Sequence, residues 1–161
     1  MMRATNIAIC LFLASSPAYS SSSIYGSTFD YTKATPTSQY FAGKTEEQIQ
    51  RFCKNDAVAT MDVSACAQHD FERVAQTLEK KVSAIEQIMA DGDKQLRTRG
   101  EPEALPYFRR GQENWKYYRD NECYADVYEA GQASLRFVEF WDCMARMTRN
   151  RLDELTKPIN E

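Results

Sequence analysis

The sequence is poor in the residues on which much catalytic chemistry depends. A single histidine, His69, stands among 161 residues, and a hydrolytic triad needs a histidine oriented by a carboxylate beside an activated nucleophile. No nucleophile elbow accompanies it. Six glycines are scattered rather than clustered, so no loop of the phosphate-cradling kind is present. The cysteines show no CxxC spacing, and Cys66 with His69 is the nearest approach to a ligand pair, which leaves no zinc-site pattern and no metal to expect. No window approaches the roughly 20 apolar residues that span a bilayer. No run of Lys and Arg interleaved with aromatics suggests a nucleic-acid footprint, the Arg109-Arg110 pair being too short. These absences argue against an enzyme and against a bound cofactor.

What is present begins with a leader. Arg3 supplies a basic start, Ile7 to Leu13 an apolar stretch, and Ala18-Tyr19-Ser20 the small residues that a signal peptidase accepts. Residues 1–20 are therefore read as a signal peptide, removed with Cys10, and the remainder as periplasmic or secreted. Cys10 lacks the flanking small residues of a lipoprotein site. Of 20 Lys+Arg and 23 Asp+Glu, only Arg3 falls in the leader, so 19 basic against 23 acidic residues leave the mature chain at about −4. A mildly acidic surface suits a cationic partner.

Residues 21–44 are rich in Ser, Thr, Gly and Pro without a sustained period, and are read as a flexible arm. Docking of its aromatics (Tyr25, Phe29, Tyr31, Tyr40, Phe41) on the helices is the alternative. Residues 45–157 form the expected domain. Thr45 and Gln48 have capping-box spacing, predicting a short helix to about Phe52. A long helix is predicted from Asp62 or Ser64 to Asp91, stopped by Gly92, with Phe71, Val74, Leu78, Val82, Ile85 and Ile88 as its apolar stripe. A second follows Pro102 or Pro106 and carries Leu105, Phe108, Trp115, Tyr118 and Cys123 toward Val127. Gly131 turns the chain, and a third runs from about Ala133 to Leu155 with Phe137, Trp141, Met144, Thr148, Leu152 and Leu155 on one side. Strand-like alternation is not evident. The fold class expected is all-α, an irregular bundle of three main antiparallel helices.

Four cysteines in an exported chain of this size are read as two disulfides. Cys123 lies about 8 residues before Gly131 and Cys143 about 12 after, so at 1.5 Å per residue they reach similar heights on facing helices. That favours Cys123 with Cys143, leaving Cys53 with Cys66; crossed pairings stay open. Acid pairs such as Asp91 with Asp93 and Glu101 with Glu103 fall in a loop and at a helix start, where negative charge complements the helix dipole. His69, early in its helix on a polar face, is read as a surface residue rather than a general base.

The densest cluster is Trp115, Tyr118, Arg119, Asp120 and Cys123, W-x-x-Y-R-D-x-x-C. Trp115 and Arg119 are one turn apart and can stack, and Arg119 can pair with an acid. The reading from residues alone is a structural knot around a disulfide, with direct contact to a partner as the alternative. Together with Gln112-Glu113-Asn114 before it, Cys143 after it, Thr148-x-x-Arg151-x-x-x-Leu155, and the earlier Cys53, Thr60-Met61-Asp62 and Cys66-Ala67, this pattern resembles the secreted DUF1311 family, the lysozyme inhibitor LprI-like N-terminal domain. The resemblance covers about Cys53 to Leu155. Val74-Ala75-Gln76 and Leu78-Glu79-Lys80-Lys81-Val82 depart from the family's first helix, and Ala130 to Ser134 replaces a longer Gly-rich loop. What the resemblance implies is an exported binding protein, a lysozyme inhibitor protecting the cell wall, with a c-type lysozyme or another exported protein as partner. The connections Gly92 to Pro102 and Ala125 to Ser134 are by position the segments to enter a lysozyme cleft. The other reading is a non-inhibitory envelope module, structural or immunity-like.

Overall fold

Thr45 closes the capping box that its spacing predicts: its Oγ1 accepts from the Gln48 amide at 3.4 Å while Gln48 Oε1 accepts from the Thr45 amide at 2.8 Å. The helix it starts runs Glu46–Asn55 (α2), after a one-turn helix Thr37–Tyr40 (α1) and a 3₁₀ turn Tyr31–Lys33. Three long helices follow, Thr60–Thr98 (α3), Leu105–Ala130 (α4) and Arg136–Thr156 (α5). The computed structural model describes residues 29–131, 133 and 135–157. The expected leader over 1–20, Cys10 and the first part of the arm lie outside the described residues.

The all-α expectation holds among the described residues, and the contacts of Glu86 with Arg109 and Asp93 with Leu105, then of Gln112 with Arg151 and Cys123 with Cys143, set consecutive long helices antiparallel. α5 packs against both α3 and α4, which touch each other only lightly and leave a groove between them. The bridges are the favoured ones, Cys53–Cys66 and Cys123–Cys143, each with a Cα separation of 5.6 Å. The first ties α2 to the opening of α3. The second joins α4 to α5 within the core, where Cys123, Cys143, Phe71, Val74, Val127, Phe140, Trp141 and Met144 are all buried.

Two helix ends differ from expectation. α3 starts two residues before Asp62, whose carboxylate reaches back to the Ala59 amide at 3.3 Å. It also passes through Gly92 and ends at Thr98. A glycine inside a helix costs only about 1 kcal/mol relative to alanine, and the next residue, Asp93, is 2% exposed and tied into the start of α4. The stop is Gly100, at φ +69°: its amide donates to Arg97 O at 3.2 Å and that of Glu101 to Leu96 O at 3.0 Å, the paired bonds of a Schellman ending. In α4, Pro106 rather than Pro102 occupies the first turn.

Two stripe residues are misplaced by the periodic reading. Ile88 is 72% and Tyr118 57% exposed. The inner side of α4 is instead Gln112, Arg119, Cys123 and Val127. Two of those four are strongly polar, so hydrophobicity does not reveal the face.

The arm is docked from residue 29 onward. Phe29 sits 4.8 Å from Phe137 and 5.0 Å from Phe140, ring centre to ring centre, and Tyr31 lies 5.6 Å from Phe140. Phe41 is buried with Ile49 and Ala65 beside the first bridge. The docking alternative, not a free arm, describes residues 29–44.

Candidate functional site

Arg119 projects from α4 into the bundle and is 6% exposed. A guanidinium so far from water needs every donor engaged. Asp120 Oδ1 accepts from its Nε at 2.9 Å and its Nη2 at 2.6 Å. Nη1 donates to Thr148 Oγ1 of α5 and Nη2 to the Tyr31 hydroxyl, both at 3.4 Å. The guanidinium lies 5.1 Å from the Trp115 ring centre and 5.4 Å from that of Phe71, within cation–π range.

The network closes on itself. The Tyr31 hydroxyl donates a hydrogen bond to Asp120 Oδ2 at 2.7 Å and the Thr148 hydroxyl donates one to Met144 O at 2.6 Å. Burial, and then the Asp120 carboxylate beside it, push the Tyr31 hydroxyl up to about 12, so it remains a donor throughout the physiological range. Trp115, Arg119 and Asp120 are thus brought together with Thr148. Tyr31 completes the set; the sequence offers it only as one of five arm aromatics that could dock on the helices, because nothing in an aperiodic arm marks which of them returns to the core.

One turn along, Arg151 of α5 donates through Nε to Gln112 Oε1 at 3.3 Å and through Nη1 to Glu154 at 2.8 Å. Gln112 is 6% exposed, and its Nε2 is the one buried side-chain nitrogen or oxygen without a hydrogen-bond partner among the described residues. It lines a groove of about 440 Å³ between α3 and α4. Tyr118 stands apart from all of these, on the outer side of α4.

The remaining candidates have structural partners. His69 spans three helices: Nε2 meets Glu46 Oε2 of α2 at 3.0 Å and Nδ1 meets Thr37 Oγ1 of α1 at 3.2 Å. Glu46, held by Gln50 and then by His69, lies below the usual carboxylate range. Asp93 is not a loop acid; its two oxygens accept from the Ala104 and Leu105 amides at 2.8 and 2.9 Å and cap α4. Glu101 pairs with Arg99, and Glu103 with Arg97.

Both connections are shorter than expected. Residues 92–98 belong to α3 and 125–130 to α4, leaving 99–104 and 131–135 between the long helices. Near the second turn lies a depression of about 570 Å³, lined by Tyr40, Met61, Ala65 and Phe137 among others. Met61 is 75% and Leu135 49% exposed, so apolar side chains reach solvent at this end.

Comparison with known proteins finds a match to the family model described as Lysozyme inhibitor LprI over residues 53–155. An uncharacterized protein of Rhizobium meliloti (strain 1021) is 31% identical over 114 residues, which cover 68% of this chain and 79% of that protein. No solved structure matches significantly.

Proposed function

The chain belongs to the lysozyme inhibitor LprI family, and on that premise we propose that it acts in the periplasm or outside the cell as a binding protein that inhibits a lysozyme and protects the cell wall. Family membership suggests an inhibitor rather than an enzyme. With two disulfides, it also suggests an extracytoplasmic protein. The observation that carries the reading is the extent of the match, which includes all four bridged cysteines and nearly the whole of the three long helices.

The partner we propose is a c-type lysozyme, whose positive charge complements the net charge of about −4 on the chain without residues 1–20 and would speed encounter more than it tightens the complex. The contact surface we propose is the end bearing Tyr40, Met61 and Leu135 around the 131–135 turn, because exposed apolar and aromatic side chains of this kind form the centres of protein interfaces. In this reading the arginine network keeps α4 and α5 in register behind that surface rather than touching the partner.

Lytic activity of a c-type lysozyme, measured with purified chain lacking residues 1–20, tests the proposal. The expected result is dose-dependent inhibition that Met61→Glu and Leu135→Asp weaken at least tenfold, with thermal midpoints unchanged. Failure to inhibit c-, g- and i-type lysozymes at micromolar excess overturns it. Capture of a stable partner that is not a muramidase would then favour the non-inhibitory envelope module.

A further inference from the structure

The two connections expected to enter a lysozyme cleft are largely helical, with residues 92–98 in α3 and 125–130 in α4. The connection between α2 and α3 lies at the same end as the 131–135 segment, where Thr60 and Met61 line one depression with Phe137. Val58 at 87% and Met61 at 75% are the two most exposed of the large hydrophobic side chains among the described residues. A single exposed aliphatic side chain is ordinary. Two within four positions, the second beside Tyr40 and Phe137, concentrate apolar surface on this connection.

The backbone on either side of Val58 is fixed. The Cys53–Cys66 bridge, with a Cα separation of 5.6 Å, ties the last turn of α2 to the opening of α3. The Phe52 carbonyl accepts from the Asp56 and Ala57 amides at 2.8 and 3.0 Å, and the Phe52 side chain packs with Phe41, Ile49 and Ala65. Beyond Val58, the Ala59 amide donates to one oxygen of Asp62, whose other oxygen accepts from the Tyr40 hydroxyl. Val58 is thus carried on a short connection anchored at both ends while its side chain meets solvent. A segment held in this way binds without the ordering cost that a free loop incurs.

Charge narrows what the segment fits. Residues 57–61, Ala-Val-Ala-Thr-Met, carry none, and Asp56 stays behind as the C-cap of α2. The cleft of a glycosidase holds two carboxyl groups that flank the scissile bond, so an acidic segment is repelled there and an uncharged one is not. The 99–104 connection, with Arg99, Glu101 and Glu103, lies at the opposite end of the long helices. We propose that residues 57–61 are the segment that enters the lysozyme cleft, with Val58 foremost and Met61 at its base, while Tyr40 and Leu135 meet the rim; this rests on the inhibitory function proposed for the chain and specifies how its contact surface is used.

Hydrolysis of a soluble chitooligosaccharide by a c-type lysozyme, followed in the presence of the chain without residues 1–20, tests the assignment. Inhibition is expected to be competitive, with tri-N-acetylchitotriose and the chain excluding each other from the enzyme. Val58→Ala removes only aliphatic contact and is expected to weaken inhibition about tenfold, and Val58→Asp, which sets a carboxylate against those of the cleft, about a hundredfold, both with unchanged thermal midpoints. p-Benzoylphenylalanine in place of Val58 is expected to cross-link to residues lining the cleft. Undiminished inhibition by Val58→Asp, non-competitive inhibition, or cross-links confined to other faces of the enzyme each overturn the assignment and leave the inhibitory function standing. Absence of inhibition by the parent chain overturns both.

Discussion

The Tyr31 hydroxyl donates to Asp120 Oδ2 at 2.7 Å across 89 positions of sequence, and the same carboxylate holds the buried Arg119. Removing the hydroxyl and removing the carboxylate should therefore differ in kind. Tyr31→Phe loses the hydrogen bond to the Asp120 carboxylate and the longer one accepted from Arg119, about 1.5–3 kcal/mol. Asp120→Ala strands a buried guanidinium and is expected to cost about 3–5 kcal/mol. Urea denaturation of the two variants, and of the double variant, would show the smaller loss largely contained in the larger.

The raised ionisation of Tyr31 gives stability a signature in alkali. Below pH 10 the hydroxyl is protonated whether the chain is folded or not, so it contributes no slope. Between pH 10 and about 12 the unfolded chain releases this proton while the folded one keeps it. Stability then falls as pH rises. Denaturation midpoints compared at pH 9 and pH 11.5 should drop less in Tyr31→Phe than in the parent chain; an equal drop would argue against the buried position of this hydroxyl.

Asp93 acts as a cap from the helix next door. Asp93→Ala leaves the Ala104 and Leu105 amides without their acceptor and is expected to cost about 1–2 kcal/mol. Hydrogen exchange would locate the damage, with faster exchange at those two amides and little change around Cys123.

Tyr118 belongs to the family-like motif by sequence but faces outward. Tyr118→Ala should change stability by no more than about 0.5 kcal/mol, whereas Phe140→Ala, at a side chain with no exposure, should cost about 3–5 kcal/mol. Thermal midpoints of the two variants distinguish a solvent-facing motif residue from a core one.

Each disulfide is expected to contribute about 2–4 kcal/mol. The Cys123–Cys143 pair closes the longer loop, 20 against 13 positions, and its sulfurs lie in the core. Replacing it by two alanines should lower the denaturation midpoint more than replacing Cys53 and Cys66.

Much of the bundle is legible in the sequence because its apolar residues mark the faces of α3 and α5: Phe71, Val74 and Leu78 on one, Trp141 and Met144 on the other. The bridge between α4 and α5 follows from the turn at Gly131 and the rise of a helix. α4 is harder because its inner face includes Gln112 and Arg119, whose burial depends on partners contributed by α5 and the arm. Gly92 misleads for a related reason. Its intrinsic preference is weak beside the tertiary bonds of Asp93 one residue later. The docked arm was invisible to periodicity, since Phe29 and Tyr31 take their positions from α4 and α5 rather than from their neighbours. Of the groove between α3 and α4, the sequence shows the apolar stripe of Leu78 and Val82 but not the burial of Gln112, which takes its partner Arg151 from α5.

The contact of Phe29 with Phe137, Phe140 and Trp141 also sets an order of assembly. In a chain exported N-terminus first, as proposed, Cys53 and Cys66 reach an oxidising compartment ahead of Cys123 and Cys143, so the first bridge can be closed before a wrong partner is present. The arm has no such early option. Its docking partners on α5 lie more than a hundred positions downstream, and the first of the described aromatic residues to be synthesised must wait for the last of the described helices before it can be seated.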